Sequence, residues 1–224
     1  MKKTKTAIVL FSGGKDSSAT TVQLAVDGYK VRLFTCSAGP IELSGPHGDS
    51  AADIRVKEIL KAFPKSIDKQ RVRYDDSYLI RKLGIERTNK EHVVYPLVLA
   101  LTTHTAAICY CLKNEINTIA SGYSGYQGVK ENYIEQHQDY IELTKKFLEG
   151  YGISYLTPVV EKSEPEIKDL LEKYGISSNS LEEKTIFSGI DFDKTKALKF
   201  WTASLPFCEK FIKEMTGINF SQQK

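Results

Sequence analysis

The chain has 224 residues, of which 41% are hydrophobic and 26% charged, and its formal net charge is +3. This composition is ordinary for a soluble globular protein with one main domain, and it argues against intrinsic disorder. The net charge is too small to indicate the strongly basic surface that is typical of nucleic-acid binding proteins.

Neither end of the sequence nor its apolar stretches predict targeting or membrane insertion. The apolar run after the N-terminal lysines spans only residues 7–11, which is too short for a signal peptide. The longest apolar stretch, residues 96–112, contains His104 and several Thr and Tyr residues, so a buried helix is predicted there. We therefore expect a cytoplasmic protein that does not contact a membrane.

Apolar runs rich in β-branched residues alternate with segments of helical period along the first two thirds of the chain. Strands are predicted at residues 7–11, 29–36, 70–74 and 117–121, and helices at residues 17–26, 52–63, 96–112 and 164–174. Ser163 with Glu166 forms a capping box for the last of these helices. Residues 122–140 are predicted to be a loop, and residues 194–215 a helix interrupted near Pro206.

This alternation predicts an α/β fold, a Rossmann-like parallel sheet with helices on both faces. The main domain is expected over residues 1–175, with a C-terminal helical extension over residues 176–224 packed on it as one structural unit. Ligands of such sheets bind at the carboxyl ends of the strands. In this sequence those ends carry SGGKDS, CSAG and SGYSG.

The stretch SGGKDS, residues 12–17, joins the first predicted strand to the first predicted helix. It matches neither the P-loop pattern GxxxxGK[ST] nor the dinucleotide pattern GxGxxG. Gly13 and Gly14 allow a tight turn that presents backbone N–H groups and the positive end of the helix dipole to an anion. Lys15 adds a positive charge, whereas Asp16 would be repelled by a phosphate unless a divalent cation such as Mg²⁺ lies between them.

SGGKDS after an apolar strand resembles the SGGxDS signature of the PP-loop ATP pyrophosphatases, whose fold is called adenine nucleotide α-hydrolase-like. The resemblance implies an ATP-using enzyme that binds the β- and γ-phosphates in this loop and transfers AMP to a substrate oxygen. Ser12, Lys15 and Asp16 would be catalytic, and Ser12, Gly13, Gly14, Lys15, Asp16 and Ser17 would bind ATP, with Mg²⁺ on Asp16. A glycine turn with an ordinary helix cap is the alternative.

Two further segments resemble 7-cyano-7-deazaguanine synthases (QueC-like enzymes of queuosine biosynthesis). VVYPLVLALTTHTAAICY is similar to their VPxRNxxFLxxAAxYA, and YLTPVVEKSEPEIKDLLEKYGI is similar to their TPLxxxxKAEIxxLxxxxG. Val98 and Leu99 replace the Arg-Asn pair of that family, and Glu164 replaces its lysine. The resemblance implies a ligase that adenylates a carboxylate, such as 7-carboxy-7-deazaguanine, and joins it to an amine.

The zinc-binding cysteines of that family are largely missing from this chain. The matching positions are Phe187, Thr202, Leu205 and Cys208, so no zinc site is expected. Aromatic packing around Trp201, Phe207 and Phe211 is expected to stabilise that region instead.

These departures leave the product open as a nitrile, an amide or a conjugate with an amine of another protein. QueC-like relatives occur in bacterial anti-phage gene clusters, and an altered site would suit such a member. The resemblance also implies a homodimer.

The other strand ends supply further candidate residues. Ser37 and Gly39 follow the second strand, where the resemblance implies binding of adenine and ribose. Ser121 and Gly122 follow the fourth strand and are expected to face the substrate or the α-phosphate. Tyr123 and Lys162 are candidate substrate contacts, by stacking on a planar group and by neutralising a carboxylate, although a surface aromatic and a solvated lysine explain them equally well.

Two other functions remain open from the sequence. The first is a PP-loop tRNA-modifying enzyme of the thiolase or lysidine type, which should show a basic face or an RNA-binding domain. The second is a partner subunit that binds nucleotide without turnover, against which the intact Lys15 and Asp16 argue.

Overall fold

The computed structural model describes residues 5–37, 51–87, 95–130, 133–179 and 193–220. The strands in these ranges are β1 (Thr6–Leu10), β2 (Lys30–Ser37), β3 (Val72–Asp75), β4 (Thr118–Ser121) and β5 (Ser154–Leu156). The helices are α1 (Lys15–Val26), α2 (Ala51–Ala62), α3 (Ser77–Arg87), α4 (Tyr95–Lys113), α5 (Gly125–Lys130), α6 (Gln138–Glu149), α7 (Glu164–Lys173) and α8 (Lys194–Thr216). A 3₁₀ turn at Ile134–Gln136 lies between α5 and α6.

The five strands form one parallel sheet in the order β3-β2-β1-β4-β5. In β1, Ile8 pairs with Arg32 of β2 on one side and with Ile119 of β4 on the other. The chain runs outward from β1 to β3 and then crosses back to β4, so the strand order reverses between β1 and β4. A ligand crevice is expected at the carboxyl ends of these two strands, where the connections leave in opposite directions.

Alternating side chains of the strands divide the core into two layers. Ala7 and Val9 of β1 pack with α1, α2 and α7, whereas Ile8 packs with α3, α4, α6 and α8 on the other face. The core strands are apolar on both faces because helices cover both. The predicted α/β sheet with helices on both faces is therefore confirmed.

Helix α4 is the central helix of the second layer. By length and composition Pro96–Lys113 would also suit a membrane span, but 67% of this segment is buried within the fold. It packs against α8 and α3 and against β1, β2 and β4. Its apolar composition thus serves the core.

The region predicted as a loop at residues 122–140 contains α5, the 3₁₀ turn and the start of α6. The prediction was wrong because α5 and the 3₁₀ turn are too short to show a period. α6 is amphipathic, and it buries Tyr140, Ile141 and Phe147 against the second layer.

The predicted interruption of the last helix near Pro206 was also wrong, because α8 continues through this residue. Pro206 lies on the exposed side of the helix, where water can satisfy the carbonyl that loses its hydrogen bond. Three of the positions aligned with zinc ligands lie on α8: Thr202 is exposed, Leu205 is half-buried and Cys208 is buried, whereas Phe187 lies outside the described residues. Trp201 is buried beside Tyr140, with an edge-to-face ring contact at 5.8 Å between centroids.

Candidate active site

The segment Ser12–Ser17 forms a tight turn between β1 and α1, as the sequence predicts. Gly13 has a φ of 88°, a left-handed conformation that favours glycine. A Cβ at this position would lie 2.5 Å from the Cα of Ala52, so the turn rests directly on the start of α2. Only glycine fits here, both for its conformation and for the space that is left.

Gly14 is the N-cap of α1, and its carbonyl binds the serine side chains of the first turn. Ser17 Oγ donates to this carbonyl at 3.2 Å and Ser18 Oγ donates at 2.6 Å. Ser12 Oγ accepts from the Gly14 N–H at 3.2 Å and lies 3.2 Å from Ser17 Oγ. No side chain caps α1 at Gly14, so the N–H groups of the first turn face the site and offer a position for an anion.

Lys15 and Asp16 each bind a side chain from another part of the chain. Lys15 Nζ lies 2.7 Å from Glu164 Oε1 at the start of α7, and it also lies 5.6 Å from the ring centre of Tyr126. Tyr126 Oη donates to Asp16 Oδ1 at 3.1 Å, and burial together with Asp16 raises the pKa of this phenol. The Lys15 side chain is therefore held by an ion pair with Glu164 at the start of α7.

Arg55 of α2 is fully buried and contacts the backbone of the turn. Its Nε donates to the Gly13 carbonyl at 3.5 Å, and its Nη2 donates to the Asn179 carbonyl at 2.7 Å. Nη1 binds Glu58 at 2.9 Å and also the Ser177 carbonyl. Arg55 thus links the turn to the segment that follows α7. The sequence did not predict this link, because Ser177 and Asn179 lie more than 100 residues from Arg55 along the chain.

The end of β4 lies against the start of α1. A Cβ on Gly122 would lie 2.5 Å from the Ser17 backbone nitrogen, so this glycine permits the close approach of the two backbones. The predicted neighbours Ser121 and Gly122 are thereby brought to the Ser12–Ser17 turn.

Ser121 ends a buried hydrogen-bonded relay that begins at His104. His104 Nδ1 lies 2.6 Å from the Ala100 carbonyl, which can only accept, so Nδ1 carries the proton and Nε2 accepts. Tyr155 Oη then donates to Nε2 at 3.2 Å and accepts from Ser121 Oγ at 2.5 Å. Burial lowers the pKa of His104 to about 4, so the imidazole is neutral near pH 7 as the relay requires. Ser121 therefore offers lone pairs, not a proton, to a ligand.

A cavity of about 310 Å³ opens between the turn, the end of β4 and the first half of α4. It is lined by Leu10, Ser12, Asp16, Ser17, Pro96, Leu99, Ala100, Thr103, His104, Ser121, Gly122, Tyr123, Gln127, Tyr133, Glu135 and Gln136. The volume suits a small molecule. Its position is the crevice expected at the reversal of strand order between β1 and β4.

Glu135 is a cavity residue that the sequence did not single out. Its Oε2 is buried and has no hydrogen-bond partner within the part of the chain that the structure describes. Burial raises the pKa of this carboxyl to about 6. Sequence reasoning missed Glu135 and His104 because a lone acidic or histidine residue in a polar segment or a core helix carries no motif.

The remaining predicted residues are distributed around the site. Tyr123 lines the cavity, and its role as a substrate contact stays a prediction. Lys162 lies in the turn before α7 and is not among the described lining residues. Ser37 is the last residue of β2 and pairs with Asp75 of β3. Gly39 lies outside the described residues.

The donor set at Asp16 fits Mg²⁺ in the manner common for nucleotide sites. Asp16 supplies one carboxylate at the cavity wall, next to the hydroxyls of Ser12 and Ser17. Within the described ranges, no three His, Cys, Asp or Glu side chains form a metal cluster. Mg²⁺ usually binds one or two carboxylates together with substrate phosphates and waters, so a protein-only cluster is not required.

Comparison with known proteins concerns the fold. No known family matches the sequence, and no curated protein is similar to it. A predicted tRNA methyltransferase subunit from Methanocaldococcus jannaschii is 21% identical over 75% of this chain and 76% of its own, with a TM-score of 0.49. A 4-thiouridine synthetase, solved as an RNA complex with bound ATP, is 13% identical over 95% of this chain, with a TM-score of 0.54.

This chain covers 53% of the synthetase, so it spans about half of that protein. The likeness is one of fold: the predicted Rossmann-like sheet of the adenine nucleotide α-hydrolase-like type is confirmed.

Proposed function

We propose that this protein is an Mg²⁺-dependent ATP pyrophosphatase that transfers AMP to its substrate. The observation that carries the proposal is the turn Ser12–Ser17, in which Gly13 and Gly14 open the first turn of α1 beside Lys15 and Asp16. Such a turn binds phosphate through backbone N–H groups and the helix dipole. The ATP bound to the 4-thiouridine synthetase, which has the same fold, supports ATP as the ligand.

The backbone of the turn, Lys15 and Asp16 have different roles in this reaction. The N–H groups of the first turn hold the β- and γ-phosphates, and Lys15 leaves Glu164 to bind them. Asp16 and the phosphates would hold Mg²⁺, which neutralises charge on the leaving pyrophosphate. A substrate oxygen attacks the α-phosphorus, the bond to the bridging oxygen breaks, and pyrophosphate leaves. Arg55 and Gly122 keep the turn in position.

The substrate that we propose is a carboxylate, 7-carboxy-7-deazaguanine or a related acid. The resemblance of the α4 and α7 segments to QueC-like enzymes supports this choice. Amine attack on the resulting acyl adenylate breaks the bond to AMP and gives an amide or a conjugate, with AMP as the leaving group. A second adenylation, on the amide oxygen, followed by loss of AMP and a proton, would give a nitrile. The replacement of the Arg-Asn pair and of the zinc cysteines favours an altered substrate or product, as in a specialised defence enzyme.

A tRNA-modifying enzyme is the second candidate function. It is favoured by one observation: the 4-thiouridine synthetase of the same fold was solved with RNA. In that case AMP would be transferred to an oxygen of a nucleobase.

Labelled ATP distinguishes the two candidates. The full chain is incubated with Mg²⁺ and ATP labelled at the α-phosphate, together with either 7-carboxy-7-deazaguanine or bulk tRNA. We expect labelled AMP to be released at a rate that depends on the carboxylate and not on tRNA. Release that depends on tRNA alone would favour the second candidate, and labelled ADP as the product would contradict both.

A further inference from the structure

The cavity beside the turn is negatively charged. Asp16 and Glu135 contribute carboxylates, and none of the lining residues in the described ranges is a lysine or an arginine. His104 adds no positive charge, because burial lowers its pKa to about 4. Away from the Ser12–Ser17 turn, a free carboxylate beside Glu135 would meet a like charge without a balancing cation from the described lining residues.

Three of the polar groups in the cavity wall are hydrogen-bond acceptors. Ser121 commits its proton to Tyr155, so its oxygen can only accept from a ligand. Glu135 Oε2 is buried and lacks a hydrogen-bond partner among the described residues. The Asp16 carboxylate accepts a hydrogen bond from Tyr126 and also lines the cavity. A buried acceptor without a donor costs free energy that a ligand with N–H groups would recover.

We propose that this cavity is the subsite for a cationic amine, with Glu135 as its counter-ion and Ser121 as a second acceptor. The inference rests on the proposed function: the bound ammonium would pass one proton to the Glu135 carboxylate, and the free amine would then attack the activated carboxylate and displace AMP. It adds the side chains that select the amine.

The shape and composition of the cavity agree with this class of ligand. The rings of Tyr123 and Tyr133 line it, and aromatic faces attract ammonium groups. Leu10, Pro96 and Leu99 supply an apolar wall for the carbon skeleton. The volume of about 310 Å³ admits an amine with a single ring. The activated carboxylate would lie at the mouth, where Lys15 and Mg²⁺ offset its charge.

Binding of three ring compounds of similar size tests the inference without any turnover. Benzylamine, benzyl alcohol and benzoate are titrated into the full chain without nucleotide, and binding is followed by ligand-observed NMR. We expect benzylamine to bind at least about tenfold more tightly than benzyl alcohol, because the buried carboxylate is paired only by the cation. Benzoate should bind most weakly. Equal or tighter binding of benzoate would overturn the inference.

Glu135→Gln removes the counter-ion with little change of shape, and Glu149→Gln, at an exposed position of α6, is the matched control. We expect Glu135→Gln to weaken benzylamine binding by about tenfold or more and Glu149→Gln to leave it unchanged. Unchanged binding to a folded Glu135→Gln variant, as judged by circular dichroism, would contradict the role of Glu135. The comparison of the three probes on the unaltered chain does not depend on the variant folding.

Acidification is a further arm of the same experiment. Since burial raises the pKa of Glu135 to about 6, benzylamine binding should fall between about pH 8 and about pH 5. Among the described residues, the other titratable groups that line the cavity with Glu135 are Asp16, His104, Tyr123 and Tyr133. Glu135→Gln should remove most of this pH dependence, and a pH dependence that persists in full would contradict the assignment to Glu135.

Failure of this inference can be told from failure of the proposed function. If the chain bound the amine but released no AMP, only the proposed function would be contradicted. If the chain released AMP but showed no preference for the cationic probe, only the inference about the amine subsite would be contradicted.

Discussion

At the scale of single residues, Lys15 has two competing partners: Glu164, which it binds at 2.7 Å, and the phosphates that we propose for the turn. Glu164 is about half exposed and also contacts Lys168 at 3.2 Å. The Lys15 side chain is only 13% exposed, but the half-exposed carboxylate keeps the ion pair weak, at about 1 kcal/mol. In our proposal, ATP displaces this contact. In our proposal, Glu164 thus competes with the phosphates of ATP for Lys15.

Glu164→Gln should therefore tighten ATP binding by about two- to fivefold, because Lys15 would no longer have to give up an ion pair in order to bind the phosphates. Isothermal titration calorimetry with ATP and Mg²⁺ measures the change. Glu161→Gln, at an exposed position in the preceding turn, is the control and should leave the affinity unchanged. A weaker affinity in Glu164→Gln would show that Glu164 helps to bind ATP and does not compete with it.

Gly122 provides a second test at this scale, since a Cβ there would lie 2.5 Å from the Ser17 backbone nitrogen. Gly122→Ala should destabilise the fold by about 1–3 kcal/mol and weaken ATP binding by about tenfold or more, because the start of α1 must shift. Gly84→Ala is the control: the nearest atom to its new Cβ is 4.0 Å away, and alanine favours a helix. If Gly122→Ala bound ATP as tightly as the unaltered chain, the claim that the end of β4 positions the turn for ATP binding would be contradicted.

Residues with a local signal were predictable, and residues defined by tertiary contacts were not. The left-handed φ of Gly13 and the open N-terminus of α1 follow from SGGKDS alone. Arg55 and Glu135 became apparent only in the fold, because their surroundings come from segments far apart in the chain.

At the scale of elements, α8 shows how packing overrides local propensity. Its buried side includes Ala197, Trp201 and Cys208, and this side continues without a break past Pro206. The apolar period of the segment is visible in the sequence, but Pro206 predicted an interruption that the helix does not have. Packing of the helix against α4 compensates for the lost backbone hydrogen bond.

Pro206→Ala should accordingly raise the free energy of unfolding by about 1–2 kcal/mol. Alanine restores a hydrogen bond inside α8, and the gain is reduced because the unfolded chain becomes more flexible. Chemical denaturation measures the difference. Thr202→Ala, at an exposed position one turn earlier, should change stability by less than about 0.5 kcal/mol. A loss of stability in Pro206→Ala would mean that the proline fixes a bend that α8 requires.

At the scale of the whole molecule, the sheet order β3-β2-β1-β4-β5 brings the Ser12–Ser17 turn, the end of β4 and the cavity to one edge. The alternation of strands and helices predicted this arrangement, since parallel strands present their carboxyl ends together. The loop prediction for residues 122–140 failed at the same scale. The 3₁₀ turn contacts α4, α5 and α6, and it lines the cavity together with Gln127 of α5. These tertiary contacts have no sequence signature.

The products formed from ATP test the central claim most directly. The full chain with Mg²⁺, a carboxylate substrate and an amine should convert ATP into AMP and pyrophosphate, since we propose that the turn holds the β- and γ-phosphates as the leaving group. Lys15→Ala should lower this rate by about a hundredfold or more, through loss of a charge-assisted contact made in the transition state. Lys168→Ala, which removes the other lysine on Glu164, should keep the rate. Formation of ADP and phosphate, or an unchanged rate in Lys15→Ala, would contradict the account.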